Sequence, residues 1–313
     1  MISKVSVIIP FLNEEENLPT LVQILNSYFT KEKEYVVEII LVNDGSTDKS
    51  LEVLKKQNYS NIDYKLISLS KNFGSHAALR AGIYYATGSH ICFMYADLQD
   101  PLILIDKLFE ESKKGYEICW ATRENTENSF IEKTFSKLYS TMMKKYAVPN
   151  YPEQGFDIVM FSNKIQAYIN QNIEVNSSLF LQILSLGFKQ TSIFYKKEAR
   201  KKGKSKWTLS KKIKLFIDSF VAFSYTPIRL VTIIGILLFF FGIFWSAYLV
   251  TRKILYNDLV SGWPVLISIL TIGFGITNIS LGIIAEYLWR TLDASRNRPV
   301  FIIDKIIELN QKK

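Results

Sequence analysis

Short runs of aliphatic and β-branched residues alternate with longer stretches at helical spacing through roughly the first 125 residues of the chain. The runs Val5–Pro10, Val36–Val42, Tyr64–Ser68, His90–Met94 and Glu117–Ala121 predict strands. The stretches near Asn17–Phe29, Asp48–Gln57, Ser75–Tyr85 and Leu102–Lys113 predict the helices between them. Strands alternating with helices predict an α/β fold with a mostly parallel sheet. Ligands of such sheets bind beyond the carboxyl ends of the strands, so the residues after each strand are where chemistry is sought.

Further along, the pattern changes in kind. Leu230–Val250 runs 21 residues and Pro264–Ala285 runs 22 without a formal charge. As helix each is about 31 to 33 Å long, enough to cross a bilayer. Core helices rarely stay apolar on every face for that length. Trp245, Tyr248, Trp263, Tyr287 and Trp289 sit near the segment ends, where amphipathic rings prefer the headgroup region. A two-span transmembrane hairpin is therefore expected over 229–290, its short loop carrying Arg252, Lys253 and Asp258. Just before it, Leu209, Ile213, Phe216, Ile217, Phe220 and Val221 fall on one helical face, opposite Lys211, Lys212, Lys214 and Asp218. That predicts a juxtamembrane amphipathic helix within 201–228, lying in the membrane interface.

Composition sharpens this picture. The chain has 313 residues, 48% hydrophobic and 21% charged, which suits two folded units and excludes disorder and collagen. Cys92 and Cys119 each lie in an apolar run, so a disulfide framework and a Cys-rich metal site are excluded and a reducing cytosol is expected. The net charge of +9 is local: ten Lys and Arg against Glu198 lie between Lys196 and Lys214, and the remainder is balanced. Beside a membrane span, that run favours anionic lipid over nucleic acid as its polyanion. Cations before the first span, with Arg290, Arg296 and Arg298 after the second, predict that both termini face the cytoplasm. No signal peptide is expected, because Met1 leads directly into VSVIIP.

Familiar signatures fail. The turn after the first strand, Pro10 to Glu16, is acidic and has no G-x-G-x-x-G, so it would repel a pyrophosphate. Gly203-Lys204-Ser205 lacks the preceding glycine of a phosphate loop, and neither H-E-x-x-H nor G-x-S-x-G occurs. The strand ends carry Asn43-Asp44-Gly45-Ser46-Thr47-Asp48 and Asp97-Leu98-Gln99-Asp100-Pro101 instead. Each alone is explained by a turn and a helix entry. Together, at neighbouring strand ends, they suit oxygen ligation of Mg²⁺ or Mn²⁺ bridging a diphosphate.

The segments VSVIIPFLNEEENL, LVNDGSTD, LSKNFGSHAALRAG, ADLQDP and ARKKGKSKW, in this order before two apolar spans and RNRP, resemble the family-2 glycosyltransferases of GT-A fold. More narrowly, the chain resembles the polyprenyl-phosphate glycosyltransferases, the group of dolichol-phosphate mannose synthases and bacterial undecaprenyl-phosphate sugar transferases. The resemblance implies a catalytic domain over 1–200, the hairpin, and a cytoplasmic tail over 291–313, in the plasma membrane. It implies a nucleotide-sugar donor, a polyprenyl-phosphate acceptor and inverting transfer of one sugar. By the same resemblance, Pro10, Leu12 and Glu14 match the first nucleotide-binding turn, Val42 and Asp44 the base and ribose contacts, and Ala96 with Asp97 the donor site. Asp97 and Gln99 match the metal-binding segment. Arg123, Arg200 and Lys206, with Ser205 between the latter two, match cations that hold donor and acceptor phosphates. Asp157 matches a position sometimes assigned as base, beside Asp97 and Arg123 in the catalytic set.

One departure matters: the metal segment usually begins D-A-D, and here the first position is Tyr95. Metal dependence is expected with one carboxylate fewer. The Q-x-x-R-W fingerprint of processive synthases is absent, which favours single transfer. Competing readings are transfer to a glycolipid hydroxyl and a non-catalytic, membrane-tethered nucleotide-sugar-binding protein. Asn278, inside the second span, marks either association between copies or a bond to its own backbone.

Overall fold

Nearly unbroken apolar runs build the centre of the sheet: β1 (Ser3–Phe11), β2 (Tyr35–Asn43), β3 (Asp63–Leu69), β4 (His90–Phe93) and β5 (Ile118–Arg123). They alternate with α1 (Leu18–Phe29), α2 (Ser50–Lys55), α3 (Ser75–Tyr85) and α4 (Ile103–Lys113). The computed structural model describes residues 2–29, 32–59, 62–124, 137, 139–145, 148–149, 151–152, 155–172, 178–197, 224, 226–256, 262–296 and 298–309. All nine expected elements are present, with ends displaced by no more than two residues.

Beyond them the structure adds β6 (Phe156–Ser162), α5 (Asn163–Gln171), α6 (Leu179–Ser185), β7 (Gln190–Tyr195) and, after two long helices, β8 (Ile303–Glu308). The eight strands are ordered β7-β5-β6-β4-β1-β2-β3-β8. Pairings β1/β2, β1/β4, β2/β3 and β5/β7 are parallel, while β6 and β8 run antiparallel to their neighbours. This is the mostly parallel α/β sheet expected. Both faces are covered, which is why the central strands are apolar on both sides. Val5, Val7, Ile9 and Phe11 pack with Leu18, Leu21 and Leu25 of α1 and Leu104, Ile105 and Leu108 of α4. On the other face α3 lies so close to β1 that a Cβ on Gly82 would collide with the side chain of Ile8. Cys92 and Cys119 are buried free thiols, and burial pushes Cys119 up to about 12.

The chain divides into two compact units, residues 1–219 with 299–313, and residues 220–298. The final strand thus belongs to the first unit. β8 bonds to β3 in an antiparallel ladder, and the Ser70 amide donates to the Ile302 carbonyl at 2.9 Å. Where the sequence predicts only a tail over 291–313, the structure has an edge strand. Its Asp304, Lys305 and Glu308 interrupt the apolar pattern, as charges on an edge do.

The second unit holds α7 (Thr226–Tyr256, 31 residues) and α8 (Trp263–Ser295, 33 residues). Among the described residues one stretch is long and apolar enough to cross a membrane, Ile272–Ser295 in α8, and α7 carries a shorter apolar stretch, Arg229–Trp245. α8 contains the whole of the expected run Pro264–Ala285. Phe244, Ile254, Phe274 and Ile279 are all more than 60% exposed, the reverse of a soluble core. Tyr287 donates to the Ser224 carbonyl at 2.8 Å within this unit. The expected amphipathic helix, within 201–223, lies outside the described residues.

Candidate active site

The carboxyl ends of β1, β2, β3 and β4 lie side by side because these strands are parallel neighbours. β5 points the same way, since β6 runs antiparallel to both β4 and β5. One edge of the sheet therefore gathers Leu12 and Glu14 after β1, Asp44 after β2, Ala96, Asp97 and Gln99 after β4, and Arg123 at the end of β5. Pro10 and Val42 are buried register partners across β1 and β2, beneath that edge.

The loops after β1 and β2 are locked to each other. Asn13 receives the Thr47 amide at 2.8 Å on its side-chain oxygen and gives its own amide to Ser46 Oγ at 2.9 Å. Glu15 accepts the Lys49 amide at 2.8 Å, Asp48 accepts the Glu15 amide at 3.2 Å, and Ser50 Oγ accepts the Glu14 amide at 3.0 Å. The Glu14 carboxylate accepts from Asn17 Nδ2 at 2.7 Å. Asp44, 4% exposed, accepts the amides of Phe73 at 2.8 Å and Gly74 at 3.0 Å. Burial raises its carboxyl above the ordinary range against those two hydrogen bonds. A carboxylate has about four acceptor positions, so bracing this turn is compatible with accepting a ligand hydroxyl. Gly45 makes the approach possible: its φ is +71°, and a Cβ there would fall 2.5 Å from the Asn72 nitrogen.

The other half of the edge is built differently. Asp97 and Gln99 are partly buried in the turn after β4, and Asp97 Oδ1 accepts the Gln99 amide at 3.3 Å. Between them Leu98 has φ +58°. Only Asn13 shares a positive φ among the described non-glycine residues, and Asn tolerates that region where Leu does not. Strain of this kind persists where surrounding structure enforces it, often beside functional groups. The Arg123 amide donates to the Gly155 carbonyl at 3.0 Å. A second irregularity adjoins it: Ile158 pairs with Ala121 and Phe156 with Thr122, leaving Asp157 as the extra residue of a bulge. The Asp157 side chain, and Arg200, Ser205 and Lys206 entirely, lie outside the described residues.

Asp100, Tyr195 and Lys197, none of them among the site residues that the resemblance implies, join this half. Asp100 accepts the Tyr195 phenol at 2.8 Å and lies 3.5 Å from the Lys197 ammonium. The available signal was Asp100's place one residue after Gln99.

Residues 6–173 match the family described as Glycosyl transferase family 2. The chain belongs to that family and is a glycosyltransferase with a GT-A type α/β domain. It is 31% identical over 309 residues to the uncharacterized glycosyltransferase YkcC of Bacillus subtilis (strain 168), covering 98% of this chain and 95% of that one. It is 30% identical to the undecaprenyl-phosphate 4-deoxy-4-formamido-L-arabinose transferase of Proteus mirabilis (strain HI4320), covering 98% and 94%. It is 32% identical to the prophage bactoprenol glucosyl transferase homolog of Escherichia coli (strain K12), covering 97% and 99%.

Proposed function

We propose that this glycosyltransferase moves one sugar, with inversion, from a nucleotide sugar to the phosphate of a polyprenyl phosphate at the cytoplasmic face of the plasma membrane. The observation that carries this reading is the shared strand-end edge of Glu14, Asp44, Asp97, Gln99 and Arg123. It occurs in a chain that aligns almost end to end with relatives named for undecaprenyl-phosphate and bactoprenol sugar transfer.

Donor binding follows from the loops. Glu14 and Asp44 accept hydrogen bonds from base N–H or ribose hydroxyl groups, on a shelf already braced by backbone amides. The metal requirement fits the donor set. Among the described residues no three His, Cys, Asp or Glu gather as a cage. Asp97 and Gln99 supply two hard oxygens from one turn, with Tyr95 where a further carboxylate is usual. That set suits Mg²⁺ or Mn²⁺ held by few protein ligands together with substrate phosphates and water. When bound, such an ion neutralises charge on the departing diphosphate.

Charge handling is the main chemical task. A phosphate monoester has its second pKa near about 6, so the nucleophile is already mostly anionic at neutral pH and needs no strong base. Arg123, Arg200 and Lys206, with Ser205, offset repulsion between the two phosphate-bearing substrates. Asp157, the extra residue of the bulge, is assigned to orient a cation or the sugar. Positioning and leaving-group stabilisation supply the rate.

Connectivity supports the membrane arrangement. Residues 220–298 are preceded by β7 and followed by β8, and both strands belong to one sheet. A segment that leaves and rejoins one folded body crosses a bilayer an even number of times, which fits a two-span hairpin with both ends on one side, and the cations flanking the spans assign that side to the cytoplasm. The exposed apolar side chains of α7 and α8 suit lipid contact. An acceptor of many isoprene units stays in the bilayer, so the enzyme is brought to it.

The test is a donor screen: full-length protein in detergent, Mn²⁺ or Mg²⁺, undecaprenyl phosphate and radiolabelled UDP-, GDP- and dTDP-sugars, scored by label in the organic phase. One donor should label lipid, and chelation should abolish it. Nucleotide binding without turnover of any donor would refute the proposal.

A further inference from the structure

Asn278 lies in the expected second span, and the sequence leaves it two roles, association between copies or a bond to its own backbone. In α8 the hydroxyls around it bond locally. Thr277 Oγ1 donates to the Gly273 carbonyl at 2.9 Å, and Ser280 Oγ donates to the Ile276 carbonyl at 2.8 Å. Asn278 does not follow them: among the described residues its carboxamide makes no hydrogen bond. The difference is chemical. A hydroxyl is satisfied by donating to a carbonyl one turn back, but the carboxamide oxygen needs a donor, and amides in the middle of a helix are already engaged in its ladder. Lipid tails offer none.

The carboxamide also faces away from the rest of its unit. Ile276, Ser280, Ile283 and Tyr287 form a half-buried side of α8, and from that side Tyr287 reaches the Ser224 carbonyl just before α7. At about 100° per residue, Asn278 lies on the opposite side with Gly275, Gly282 and Ala285, all of them exposed. A Cβ on Gly275 or Gly282 would meet no atom within 4 Å. Small residues on both flanks leave room for another backbone to come close to the amide.

We infer that this side of α8 is an interface between two copies of the chain, in which their Asn278 carboxamides hydrogen-bond to each other. A carboxamide is both donor and acceptor, so it is its own complement. Copies inserted in the same orientation share a two-fold axis only along the membrane normal, and that axis brings the two amides to one depth on parallel helices. The inference rests on the reading of α8 as a membrane span and on no part of the transfer chemistry.

The experiment is fluorescence energy transfer between two populations of the full-length protein, each carrying one dye at its C-terminus, in phosphatidylcholine vesicles at falling protein-to-lipid ratio. The unaltered chain should associate, its energy transfer declining on dilution along a dimer curve. Asn278→Leu should raise the dissociation constant about tenfold, and Asn278→Gln, which keeps a carboxamide, should bring it back to within about threefold of the unaltered value. Gly282→Ile keeps the amide but blocks close approach, and should weaken association at least as much as Asn278→Leu. Leucine favours insertion of a span, so weaker association of that variant is not a failure to enter the bilayer. No energy transfer from the unaltered chain, or an Asn278→Leu constant within twofold of the unaltered one, would overturn the inference. Extraction of the protein from the vesicles by alkaline carbonate is a separate result that defeats the membrane reading and this inference with it. Carbonate-resistant protein without energy transfer defeats the inference alone.

Discussion

The two halves of the strand-end edge use acidic residues for opposite purposes. After β1 and β2, Asp48 and Glu15 accept backbone amides from each other's loop and Asp44 accepts them from the loop after β3, so the donor shelf is folded before any ligand arrives. After β4 and β5 the backbone is irregular: Leu98 has a positive φ, and Asp157 is the extra residue of a bulge. There Asp100 answers a phenol and an ammonium instead of amides. The number of carboxylates in a motif therefore says little about its chemistry. A carboxylate that accepts amides from another loop, as Asp44 does, holds the fold as well as the donor, so substitutions in the first half should damage folding together with donor binding while those in the second damage turnover.

The sharpest break of that comparison is Asp97→Ala. Losing the carboxylate of the metal turn should lower transfer by about a thousandfold, some 4 kcal/mol, with Tm unchanged within about 2 °C. Steady-state rates beside a melting curve check both parts. In the first half stability should fall as well as activity. Asp44→Ala removes the acceptor of the Phe73 amide and one of the acceptors of the Gly74 amide and should cost about 2 kcal/mol in denaturant unfolding, and Gly45→Ala should cost at least as much through its φ of +71° and the contact with Asn72. Full stability in either variant would dissolve the distinction.

His76, at the start of α3 just beyond the braced turn, adds a pH signature. Burial, and then the nearby Arg80 guanidinium, push its imidazole down to about 4, and Nδ1 accepts the Leu179 amide at 3.2 Å. The unfolded chain binds the proton near pH 6.5 and the folded one only near 4, so stability should fall as pH drops through that window. The loss should approach about 3 kcal/mol, and His76→Gln should flatten the slope. The smallest expected effect concerns Leu98. Leu98→Asn suits the left-handed backbone and should keep turnover within about threefold, whereas Leu98→Val resists it and should lower turnover about tenfold.

Strands β1 to β5 were legible because both faces of the sheet are covered, so each reads as a β-branched apolar run between helical stretches. β8 was not. Its sequence IDKIIE carries three charges, and its partner β3 lies more than 230 residues away, so nothing local announces the pairing. The metal turn and the donor loop were legible through family resemblance. Their division into scaffold and machinery was not, because it depends on which amide meets which carboxylate. Asp100 and Tyr195 are 95 residues apart and meet only through the fold, although Asp100 stood in plain view beside Gln99.

The central claim is that a lipid phosphate oxygen is the nucleophile, and acceptor chemistry tests it most directly. Full-length protein in vesicles would receive a labelled nucleotide sugar with undecaprenyl monophosphate or, in parallel, undecaprenol, the products being identified by mass spectrometry. One sugar joined through a phosphodiester, formed from the monophosphate alone and with the anomeric configuration inverted, is the predicted result. Product from the alcohol, or none from the monophosphate with any donor, would contradict it.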